Sequence, residues 1–81
     1  MRVRVQFYAQ LRDLIKAESI DVDLADGASV SDLLQNLYAT FPALRAHDKT
    51  ILAGVGLDFV DRAYVLKPAD EIAIMPPVQG G

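Results

Sequence analysis

The chain contains no cysteine. That absence removes disulfides, thiolate zinc sites, redox pairs and a cysteine nucleophile together. Histidine occurs once, at His47, so this chain alone cannot assemble a metal site that needs two imidazoles. Basic residues are the minority: eight Lys+Arg face eleven Asp+Glu, for a formal net charge of −3. Nucleic-acid binders carry a basic footprint that displaces counterions, so the balance argues against nucleic acid as a partner. No apolar run approaches the ~20 residues needed to cross a bilayer. The opening Met1-Arg2-Val3-Arg4 leads into alternating residues rather than an apolar secretory segment. The expectation is a cytoplasmic protein with no membrane partner. Length is short too. Eighty-one residues make one domain, which buries about 60% of its unfolded surface and has little room for an enclosed active site.

What is present is globular in character: 52% hydrophobic and 23% charged residues. Val3, Val5 and Phe7 alternate with Arg2, Arg4 and Gln6, the period of a half-buried strand. Leu11, Leu14 and Ile15 fit a short helical turn. Ile20, Val22 and Leu24 then alternate with Ser19, Asp21 and Asp23 as a second strand, closed by a turn at Asp26-Gly27. Ser29 stands three residues before Asp32 in a capping-box pattern. Val30, Leu33, Leu34, Leu37, Tyr38 and Phe41 follow as one apolar helical stripe that Pro42 ends. Beyond a polar stretch around His47-Asp48-Lys49, Thr50 to Val55 reads as a mostly buried strand and Leu57 to Val60 as a short strand or hairpin arm. Tyr64-Val65-Leu66 leads to a turn at Pro68-Ala69-Asp70. Glu71 to Met75 is the last strand, stopped by Pro76-Pro77. A hairpin, a helix and further strands indicate a two-layer α+β domain. If the first and last strands are central neighbours, the arrangement is a β-grasp (ubiquitin-like) fold: a ββαββ mixed sheet with one main helix on one face. The division is a domain over 1–75 and an extended tail over 76–81.

The tail carries the candidate chemistry. Pro76 and Pro77 make a stiff extended exit. Gly80 and Gly81 lack Cβ atoms, so their backbone can pass a tunnel too narrow for side chains, and the terminal carboxylate is the only functional group at the tip. The plain alternative is a terminus that happens to finish in glycine.

The stretch Asp70-Glu71-Ile72-Ala73 before Pro76-Pro77-Val78-Gln79-Gly80-Gly81, with the opening Phe7-Tyr8-Ala9-Gln10-Leu11-Arg12-Asp13-Leu14, resembles the small, sulfur-carrying subunits of molybdopterin synthase. The resemblance spans the chain. Two departures are Val55-Gly56, where that family usually has Val-Asn, and Ala69-Asp70, where it usually has Gly-Asp. The resemblance implies a protein that is not an enzyme on its own and binds no cofactor. Its carried group is a thiocarboxylate on Gly81. An ATP-dependent adenylyltransferase similar to ubiquitin-activating enzymes would adenylate that carboxylate, and a persulfide sulfur donor would displace AMP. The tail Pro76, Pro77, Val78, Gln79, Gly80 and Gly81 would then enter the large catalytic subunit and give its sulfur to cyclic pyranopterin monophosphate, building a dithiolene within a heterotetramer. Tyr8, Phe59 and Met75 fall where the family contacts its partners, and Arg12 matches the family's arginine at the same edge, although a solvated arginine after a strand accounts for it equally well. Alternation puts Tyr8 opposite to Phe7, and Met75 opposite to Ile72 and Ile74. Phe59 fits a core position equally well.

Other signals carry less. Asp21 to Gly27 resembles a calcium loop, but Ala25 stands at the fifth position, the glycine comes one place late and no bidentate Glu follows. His47 reads as surface. Ser29 is explained by capping, and neither Ser29 nor Ser31 has a histidine base nearby. Gly54-Val55-Gly56 lacks the strand-then-helix context of a phosphate loop. Carriers for thiamine, tRNA thiolation or cysteine synthesis, a ubiquitin-like modifier, and an interaction domain with an inert tail share the fold, and fold does not choose among them.

Overall fold

The structure is a computed structural model that describes residues 1–77. The chain runs β1 (Arg2–Phe7), α1 (Ala9–Ile15), β2 (Ser19–Asp23), α2 (Val30–Thr40), a 3-10 helix (Pro42–Thr50), β3 (Leu52–Val55), β4 (Asp58–Val60) and β5 (Glu71–Met75). The strands form one sheet in the order β2-β1-β5-β3-β4. β1 and β5 are parallel and central, with Val5 opposite Ile72 and Phe7 opposite Ile74; every other pairing is antiparallel. Two parallel neighbours need a long crossover, and α2 with the 3-10 helix lies within it. The β-grasp expectation therefore holds.

Alternation along β1 and β5 turns Val3, Val5, Phe7, Ile72 and Ile74 to one face, where all are buried. α2 lays Val30, Leu33, Leu34, Leu37 and Tyr38 onto that face. Burying each large apolar side chain contributes about 1.5–3 kcal/mol. The helix starts as its sequence predicts. Ser29 Oγ accepts from the Asp32 amide at 3.2 Å, and an Asp32 carboxylate oxygen accepts from the Ser29 amide at 2.9 Å.

Some elements differ from the sequence reading. Leu14 is 38% exposed, because the seven-residue α1 buries only the narrow stripe of Leu11 and Ile15. The polar stretch after Pro42 is helical rather than open, with Leu44 as its one buried residue. It leaves His47 half-buried rather than on the surface. The Thr50 hydroxyl donates to the His47 carbonyl at 3.1 Å, so Thr50 ends this helix and β3 starts at Leu52. Leu57 belongs to a turn, not a strand. Gly56 has φ +64° and Leu57 is fully exposed, the two-residue hairpin connection with glycine first.

Both departures from the family pattern fall at left-handed turn positions. Gly56 is one; Ala69, with φ +68°, is the other. Lys67 to Asp70 closes as a turn, with the Asp70 amide donating to the Lys67 carbonyl at 3.1 Å. Proline second and a left-handed third residue is the type II form, which favours glycine at the third place. Alanine there carries a Cβ penalty of about 1–2 kcal/mol, partly offset by the lower entropy of its unfolded chain. Ala69→Gly is therefore expected to stabilise the domain by about 0.5–1 kcal/mol, measured by urea denaturation. A loss of stability would show that the turn is not strained.

A polar cluster ties the helical layer together. The Tyr38 hydroxyl donates to Asp48 Oδ1 at 2.5 Å, and Arg62 Nη1 donates to the same oxygen at 2.8 Å. Arg62 Nη2 donates to the Asp48 carbonyl. Burial, reinforced by Asp48, pushes the Tyr38 phenol from 10 up to about 12, while the Tyr38 and Arg62 donors hold the Asp48 carboxyl below its usual range. The raised phenol favours the neutral form in the folded state. Its stabilising contribution is complete below pH 10 and is lost as the pH rises through about 12. Tyr38→Phe is expected to lose about 1–2 kcal/mol at neutral pH and to flatten the alkaline fall in stability. Urea titrations across the alkaline range check both, and an undiminished fall in the variant would assign it to another group.

Candidate functional site

The face of the sheet opposite α2 is the uncovered one, and its two halves differ. Towards β2 it is charged: Arg2 Nε donates to Asp23 at 3.0 Å and Arg4 Nε to Asp21 at 3.3 Å. These pairs are exposed and stabilise little, though Arg2 holds the Asp23 carboxyl below its usual range. In the Asp21–Gly27 stretch, Asp21 and Asp23 are thus partners of strand arginines, and Asp26 lies 3.5 Å from the Met1 amine. Among the described residues no group of three or more His, Asp or Glu is placed to hold a metal ion.

Towards β4 the same face is apolar. Register places Gln6, Ala73, Gly54 and Phe59 in one row across β1, β5, β3 and β4. In the next row Met75 stands opposite Leu52, and the Tyr8 amide continues the ladder by donating to the Ile74 carbonyl at 3.1 Å. The Tyr8 ring is held over this face by its hydroxyl, which donates to Gln6 Oε1 at 2.9 Å. Gly54 and Ala73 form the floor of a shallow depression of about 370 Å³ walled by Tyr8, Phe59, Met75 and Leu57. A Cβ on Gly54 would sit 3.4 Å from Met75 Cε, so the methionine methyl lies close over β3 at Gly54. Tyr8 is 45% and Phe59 68% exposed, while Met75 is half-buried.

Each described candidate can now be placed. Tyr8 and Met75 face outward, as alternation predicts. Phe59 is no core residue: Ala53 pairs with Val60 and Gly54 with Phe59, so Val60 turns inward and Phe59 outward. Arg12 lies on exposed α1 and shares a second depression with Gln6, Tyr8 and Glu18, beside the apolar one rather than inside it. Pro76 and Pro77 leave β5 half-buried, directly after Met75. Val78, Gln79, Gly80 and Gly81 lie outside the described residues. Leu57, Gly54 and Ala73 were missed as contributors. Only cross-strand register brings Gly54 and Ala73 together beside Phe59, and no local sequence signal marks them. Asp58 and Glu71 add exposed carboxylates at the border.

An exposed apolar patch beside the end of β5 suits docking rather than chemistry. Comparison with known proteins agrees in kind. Residues 5–81 match the ThiS family. A molybdopterin synthase sulfur carrier subunit of Chlamydomonas reinhardtii is 34% identical, with 100% of both chains covered. Among solved structures, SAMP1 of Haloferax volcanii has the same fold, with a TM-score of 0.84, 23% identity and 100% of both chains covered. The fold also recurs in a complex of subunits 1 and 2 of the molybdopterin-converting factor of Helicobacter pylori, with a TM-score of 0.70, 24% identity and 100% of both chains covered. A family match across nearly the whole sequence, an end-to-end relative and a shared β-grasp architecture place the chain in the ThiS family.

Proposed function

We propose that this chain is the sulfur-carrying small subunit of a cytoplasmic molybdopterin synthase, a protein-sized cosubstrate with no catalytic centre of its own. The carrying observation is its full-length likeness to a molybdopterin synthase sulfur carrier subunit, together with Gly80 and Gly81, which follow the last residue of β5, Met75, by five and six positions in the sequence. In this reading an adenylyltransferase uses ATP to convert the Gly81 carboxylate, a resonance-stabilised poor electrophile, into an acyl-adenylate. The outer sulfur of a persulfide donor displaces AMP to form an acyl disulfide. A second thiol then attacks the donor's inner sulfur, breaking the S–S bond, so that the donor leaves as a disulfide and the C-terminal thiocarboxylate is released. The apolar patch of Tyr8, Phe59 and Met75, with Arg12 at its margin, docks the large subunit while the tail delivers sulfur to cyclic pyranopterin monophosphate; two deliveries complete the dithiolene. The pairing of subunits 1 and 2 in the Helicobacter pylori complex supports a large-subunit partner.

The test is transfer. Thiocarboxylated chain mixed with large subunit and cyclic pyranopterin monophosphate is expected to lose its sulfur as dithiolene product forms. Retention of sulfur there, with loss to a thiamine, tRNA or cysteine pathway acceptor, would reassign the carrier. Isopeptide-linked targets in lysates would instead favour a modifier.

A further inference from the structure

Phe59 sits on the shortest strand of the sheet. β4 has three residues, is the edge strand and is bonded to β3 alone. Beside it a crevice of about 220 Å³ is lined by Val30 of α2, Ile51, Ala53 and Val60, with Phe59 and Arg62 also on its wall. One end of β4 is a two-residue turn. The other leads into Asp61–Tyr64, where Asp61 Oδ1 accepts from the Ala63 amide at 2.8 Å and Arg62 reaches across to the helical layer. The Arg62 carbonyl accepts from the Ser31 amide of α2 at 2.9 Å. Its guanidinium grips both the carboxylate and the carbonyl of Asp48 in the 3-10 helix, and that carboxylate also accepts from Tyr38. A single residue therefore joins the exit of β4 to both helical elements.

We propose that Arg62 is a positioning residue for docking: by clamping Asp48 it fixes β4, and through β4 the outward angle of Phe59 beside the tail exit. The proposal rests on the reading of the Tyr8–Phe59–Met75 patch as the partner surface. A planar fork bonded at two points holds a direction that a single ammonium holds less well.

Calorimetric binding of the full chain to the purified large subunit tests it in a double-mutant cycle. Phe59→Ala and Arg62→Ala are each expected to weaken binding, the second about fivefold, and the double variant is expected to bind no more weakly than Phe59→Ala alone. Arg62→Lys should recover part of the loss. Tyr38→Phe, which destabilises through the same carboxylate but leaves the Arg62 grip, should bind within about twofold of the parent. Amide exchange in Asp58–Val60 should quicken in Arg62→Ala and not in Tyr38→Phe; this is readable in the free protein. If Phe59→Ala binds like the parent, the docking reading fails. If Phe59→Ala weakens binding while Arg62→Ala has no effect, or their effects add, the clamp is overturned. Equal exchange in both variants overturns it as well.

Discussion

Deleting Gly81 abolishes sulfur loading. With an adenylyltransferase, ATP and a persulfide donor, the intact chain is expected to gain the mass of one oxygen-for-sulfur exchange, and the shortened chain to gain none. The reason is reach. One residue of extended chain spans about 3.3–3.6 Å, as long as the whole separation between reacting atoms in a productive complex, and a misplacement of about 1 Å already lowers a rate about a hundredfold. The shortened chain still ends in a carboxylate, on Gly80, so chemical identity is kept and only position is lost. Pro76-Pro77 sharpen the effect, because a stiff exit cannot pay out slack. Intact-mass spectrometry reads the outcome. Normal loading of the shortened chain would remove Gly81 from the reaction and leave an interaction domain as the better description.

Phe59→Ala weakens association with the large subunit by about tenfold or more, the factor expected for an aromatic anchor at an interface centre. Phe59 is 68% exposed, so its ring is available for burial by a partner and contributes little to the free domain. Unfolding free energy is expected to change by no more than about 0.5 kcal/mol. Tyr8→Ala and Met75→Ala should follow the same pattern with smaller losses, since Tyr8 is partly occupied by its bond to Gln6 and Met75 already rests against β3. Calorimetry and urea denaturation on the same samples separate the two quantities. Unchanged affinity in all three variants would remove this face as the docking surface.

The helix α2 was legible down to its capping box because three local rules coincide there: a hydroxyl cap, a 3.6-residue apolar stripe and a terminating proline. β1 and β5 were legible because alternation needs only a buried and an open face. The segment Pro42–Thr50 was not, since a short 3-10 helix with one buried residue, Leu44, leaves no periodicity to read. Phe59 was undecided for a related reason. Three residues of strand give too little alternation to fix a facing, and the decision comes from pairing with β3, which local sequence does not state. The Tyr38–Asp48–Arg62 cluster left a partial trace: a tyrosine within an apolar stripe needs a partner for its hydroxyl, but its acceptor Asp48 lies 10 residues further along the chain, and Arg62, which shares that carboxylate, lies 24.

By itself, then, the sequence determined the class of the domain, the order of its principal elements and a Gly-Gly end free of side chains, because composition, periodicity and terminal residues act locally. It also determined which chemistries are missing, since no fold can supply a thiol or a second imidazole that the chain lacks. Tertiary structure alone decided that the apolar half of the open face lies at the exit of β5, that Gly54 and Ala73 floor it, and that Arg62 braces its edge. Those are consequences of register between strands far apart in the chain. A shift of one residue would turn every side chain of a strand to the other face, and what selects among registers is the packed core as a whole.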